Sequence, residues 1–93
     1  MMNMPENNGH LKLTERQLAS RIPTGALDRD FGKYGSELSD IYVYVALATS
    51  VREEGDRLKE QGRESDAAMK HSKADEYIEE ANMIARPIGI EIV

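Results

Sequence analysis

Apolar and small residues recur along the second half of the chain in steps of three and four. Ile41, Tyr44, Ala48, Val51, Gly55, Leu58 and Gly62 follow this spacing, and Ala67, His71, Ala74, Ile78, Ala81, Ala85 and Ile88 follow it in the reverse order. Such spacing keeps one stripe of a helix apolar, the seam along which two helices pack. Gly62 supplies a stop between the two stretches and Pro87 ends the second, since glycine takes the left-handed conformation that closes a helix and proline cannot continue one. The pattern predicts an antiparallel hairpin of helices over about 36–62 and 65–86. Folding one stretch onto the other sets Leu58 against His71, Gly55 against Ala74, Val51 against Ile78, Ala48 against Ala81 and Ile41 against Ile88. Layers that hold only Gly and Ala let the helix axes approach to about 8 Å, the short end of the usual range.

The flanks carry local signals. Thr14 and Gln17 have the spacing of a capping box, with Leu13 and Leu18 placed as a hydrophobic staple, so a short helix over about 14–22 is expected. Pro23 and Gly25 end it, and 26–35 reads as a loop with Ser36 as the N-cap of the long helix. Beyond Pro87, Ile88, Ile90 and Ile92 alternate with Gly89 and Glu91, the period of a short extended segment over 88–93 with one buried face. The fold class is therefore all-α: a two-helix hairpin with a short N-terminal helix and a C-terminal extended segment. Residues 1–10, polar and holding Pro5 and Gly9, read as a mobile tail ahead of one helical-hairpin domain at 11–93.

Ninety-three residues hold one domain, and its core is thin, because a chain this short buries only roughly 60–65 % of its unfolded surface. Support from a second copy or a partner is expected. Twelve basic against seventeen acidic residues leave a net charge of −5, the wrong sign for gripping nucleic acid or an anionic membrane. With no cysteine there is no disulfide and no thiolate chemistry. The longest near-apolar run, Ile41 to Ala48, is far short of the ~20 residues of a membrane span. No leader segment is legible, and a cytoplasmic protein is expected.

Gly55, Leu58, Gly62, Ala67 and Ala74 stand at the spacing of one tetratricopeptide unit, which this stretch resembles in its hairpin geometry, although Val51, His71 and Glu79 replace that repeat's aromatics and closing proline. The resemblance implies a helix–turn–helix pair. Separately, residues 13–22 look like the first helix of a DNA-binding helix-turn-helix, with Ala19 at the small position. Pro23, Arg29 and Gly32 depart from its second half, so DNA binding is the weakest alternative.

Chemistry is sparse. His71 and Asp75 share a helix face at i, i+4, but His71 falls on the packing seam and reads as structural. We expect no enzyme, no catalytic residue, no metal ligand set and no cofactor. The stretch Ile41–Ala48 is apolar all round, yet one partner helix covers a single stripe. Leu18, Ile22, Leu27 and Phe31 are the residues available to cover more. Tyr42, Val43, Leu47, Ile88, Ile90 and Ile92 are thus the expected interface, and the expected function is a small acidic adaptor or inhibitor that binds itself and a protein partner. The alternative is an oligomer that binds a phosphate-bearing ligand such as a nucleotide through Arg29, Lys33, Tyr34 and the helix start at Ser36.

Overall fold

The computed structural model describes residues 11–93, so the tail expected at 1–10 lies outside the described residues. In chain order the elements are β1 (Leu11–Leu13), α1 (Glu15–Arg21), α2 (Asp28–Phe31), α3 (Gly35–Glu60), α4 (Glu64–Ala85) and β2 (Ile90–Ile92), with 3₁₀ turns at Gly32–Tyr34 and Arg86–Ile88. The all-α hairpin is the body of the molecule: α3 and α4 lie antiparallel and pack along their length.

The capping box at the start of α1 is present in full. The Gln17 amide donates to Thr14 Oγ1 at 3.1 Å and the Thr14 amide donates to Gln17 Oε1 at 2.9 Å. Leu13 and Leu18, the staple pair, are both buried. The start of α3 differs from expectation. Helical turns run through 28–34 directly into it, so α3 begins at Gly35 with Tyr34 in the cap position and no side-chain cap bond. Ser36 already lies inside the first turn of the helix and is therefore not its N-cap.

The turn between α3 and α4 falls earlier than the spacing implied. Gly62 adopts a left-handed φ of 79°, the Arg63 amide donates to the Leu58 carbonyl at 2.9 Å, and the Gly62 amide donates to the Lys59 carbonyl at 3.0 Å. These two bonds make a Schellman closure. Gly62 is therefore a turn residue, exposed and outside the seam, and α4 starts at Glu64 after only three residues. The earlier turn shifts the register. A Cβ built on Gly55 would lie 2.8 Å from His71 Cδ2 and 3.1 Å from Lys70 Cβ, so Gly55 faces Lys70 and His71 and not Ala74. The rest of the small-residue seam holds, since Ala48, Gly55, Ala67, Ala74, Ala81 and Ala85 are all buried.

One element was not expected. Leu11–Leu13 forms β1, which pairs in parallel with β2 in the register Leu11 to Ile90, Lys12 to Glu91 and Leu13 to Ile92. Asn82 of α4 holds the other edge of β2. Its Nδ2 donates to the Ile92 carbonyl at 3.1 Å and its Oδ1 accepts from the Ile92 amide at 2.8 Å. Leu13, Leu18, Leu27, Leu38, Ile41, Val45, Ile90 and Ile92 then form one core with Ala81 and Ala85, at the end of the hairpin where the chain's outer elements gather.

Candidate functional site

The expected interface separates into two groups. Ile90 and Ile92 lie in the chain's own core at 1 % and 6 % exposure, and Ile88 is half-buried against it. This corrects the expectation that these isoleucines form an interface: β1 occupies one edge of the strand and the Asn82 amide the other, so neither these side chains nor that strand is free for a partner. The second group stays open. Tyr42, Val43 and Leu47 are 38 %, 52 % and 41 % exposed. Leu18 and Leu27 are buried in the core formed with Leu38, Ile41 and Val45, and Ile22 and Phe31 pack against it. The N-terminal elements thus cover a different stripe of α3 and leave these three residues in solvent.

The residues of the expected anion site lie on the helical turns that lead into α3 and on its first turn. Arg29 lies on α2, a helix of a single turn, and is exposed. Lys33 sits in the 3₁₀ turn with its Nζ 5.1 Å from the centroid of the Tyr34 ring, and Ser36 is exposed within the first turn of α3. The segment read as an open loop is mostly helical, because each glycine at 32 and 35 takes ordinary right-handed values. Where a helix-turn-helix would need a recognition helix, the chain has only α2.

The His71 and Asp75 pair is also divided. His71 Nε2 lies 3.1 Å from Asp56 Oδ1 across the hairpin, and Asp75 Oδ1 lies 3.1 Å from Arg52 Nη2. Arg52 belongs to a junction that the sequence did not reveal. Its Nε and Nη2 donate to Glu15 Oε1 at 3.2 and 3.0 Å, and Thr49 Oγ1 donates to Glu15 Oε2 at 3.2 Å. Glu15 of α1, Arg52 of α3 and Asp75 of α4 are thereby tied through one guanidinium. Burial works against the charged form of Arg52, but the hydrogen bonds and charges of Glu15 and Asp75 outweigh it and hold the guanidinium above its ordinary range. An open cleft of about 550 Å³ lies over this junction, lined by Thr14, Glu15, Arg16, Thr49, Arg52 and Glu53 among others. The arginine's donors are directed at the two carboxylates, so the junction braces three helices.

Among the described residues no group of three or more His, Cys, Asp or Glu is placed to hold a metal ion, and no helix is long and apolar enough to cross a membrane. No protein-family model, curated protein or solved structure matches the chain.

Proposed function

We propose that the protein is a small acidic, non-enzymatic interaction module of the adaptor or inhibitor kind, one that associates with itself and with a protein partner. The observation behind this is the exposure of Tyr42, Val43 and Leu47 on α3 while Ile90 and Ile92 are taken into the core. Three large apolar side chains within two turns of one helix gain from being covered, at about 25 cal/mol per Å² removed from water. The thin core of a short chain gives association a further reason. Glu53 and Glu54, exposed further along α3, put charge beyond one end of the apolar turns.

Sedimentation over the micromolar range tests self-association, and affinity capture followed by mass spectrometry tests the partner. We expect an oligomeric mass and a captured protein, both diminished by Val43→Glu and by Leu47→Glu. These positions are exposed, so folding should survive each change. A monomeric mass together with capture indifferent to both substitutions would reject the proposal.

A further inference from the structure

Helical spacing gives the hairpin two sides. Thr49 and Arg52 of α3 and Asn82 of α4 mark the side on which α1 and β2 attach. Tyr44, Leu47, Val51 and Leu58 recur at helical spacing on the other side of α3, and Tyr77 and Ile84, seven residues apart, lie on the matching side of α4. The rings of Tyr44 and Tyr77 meet there across the two helices, with centroids 6.4 Å apart. Leu47 is exposed and the other five are only half-buried, so this side is apolar along its middle and open.

Charge is ordered along the same side. Lys73 stands four residues before Tyr77 and Glu80 three residues after it, which puts all three on one stripe of α4. The Lys73 Nζ lies 5.1 Å from the centroid of the Tyr77 ring and 3.6 Å from Glu76 Oε1 in an exposed pair on its own helix, an interaction weak enough to be exchanged for another, and Glu80 has no ion-pair partner among the described residues. A parallel neighbour of the same kind would set Lys73 beside Lys73. An antiparallel one, related by a two-fold axis beside Tyr77, sets each Lys73 opposite the other copy's Glu80 and brings the two Tyr77 rings together. Tyr77 is also close to the middle of α4, so the antiparallel arrangement overlaps the helices along most of their length. Two helices of about 33 Å, side by side over a width of about 20 Å, offer roughly 650 Å² per copy, near the ~800 Å² of a standard interface.

Given the self-association proposed above, we propose that the side of the hairpin carrying Tyr44, Leu47, Val51 and Tyr77 receives a second copy of this chain, antiparallel about a two-fold axis beside Tyr77, to give a four-helix bundle. The arrangement is isologous, with each charged stripe complementary to itself after rotation.

Because the chain has no cysteine, a single introduced thiol reports the geometry. Tyr77→Cys should oxidise to a covalent dimer, while Met83→Cys, the more exposed of the two but on another stripe, should not. Independently, Lys73→Glu and Glu80→Lys should each weaken dimerisation about tenfold or more in sedimentation equilibrium, and the double exchange should restore it. Both positions are exposed, and circular dichroism of each variant checks that the helices persist. A dimer indifferent to the charge reversals and not cross-linked through position 77 would overturn this surface and leave self-association standing. A monomeric mass for the unaltered chain would overturn both.

Discussion

Gly55 and Asn82 each do what no other residue at their position could. A methyl group on Gly55 would meet the His71 ring at 2.8 Å and the Lys70 Cβ at 3.1 Å. The ring lies at the end of a side chain that can turn aside, whereas the Lys70 Cβ is fixed to its helix. Gly55→Leu should therefore lower stability by about 1–3 kcal/mol through overpacking, although leucine is the better helix former. Thermal denaturation checks this, and His71→Ala in the same background should recover part of the loss. Asn82, 4 % exposed, stands in for a neighbouring strand by bonding both the amide and the carbonyl of Ile92. Asn82→Ala leaves both groups buried and unpaired, at an expected cost of about 2–4 kcal/mol in urea unfolding. Asn82→Asp should be almost as harmful, because it keeps the acceptor but turns a donor toward a carbonyl into a second acceptor. A polar residue bordering a stripe of alanines and isoleucines was a visible irregularity in the sequence; its partner, ten residues away on a strand, was not.

At the level of elements, sequence signals worked where they were local. The capping box, the staple, the two long helices and the alternation after Pro87 all depend on residues within a few positions of one another, and each is present in the structure. β1 escaped because Leu-Lys-Leu is too short to establish a period, and its partner is at the far end of the chain. The register of the hairpin escaped for a different reason: a glycine in step with a helical stripe can be either a seam residue or a stop, and Gly62 is the stop. Its left-handed φ of 79° is the cause, and nothing lies within 4 Å of the space a Cβ would fill. Gly62→Ala should cost about 1 kcal/mol from backbone strain alone, with Gly62→Asn closer to neutral, as differential scanning calorimetry would show. The candidate site was legible in part. The excess of apolar residues in 41–48 pointed to Tyr42, Val43 and Leu47, but only three dimensions show that Ile90 and Ile92 are already covered.

Residues 11–93 form a rod of 54 × 23 × 16 Å with a radius of gyration of 15.1 Å, against about 12 Å for a compact chain of this length. Its large core residues are gathered at one end, where α1, β1 and β2 close over the hairpin. Toward the Gly62 turn the two helices have only each other, with Gly55, Ala67 and Ala74 buried between them. The Glu15–Arg52–Asp75 junction stands where the third layer stops. A short chain that leaves half of a hairpin without a third layer keeps that half available for another surface.

That uneven layering has a kinetic signature in the exchange of amide hydrogens with solvent. Opening of the turn end needs only the parting of two helices joined through glycine and alanine, while opening of the other end must also break a parallel strand pair and empty an aliphatic core. Exchange rates in α3 and α4 should therefore form a gradient. Amides near Leu58 and Ala67 should exchange through local fraying, and those near Ile41, Val45 and Ala85 only through global unfolding, with the change of regime close to Arg52. Equal protection from one end of the hairpin to the other in dilute solution would mean that the turn end is held by more than the contacts one chain provides.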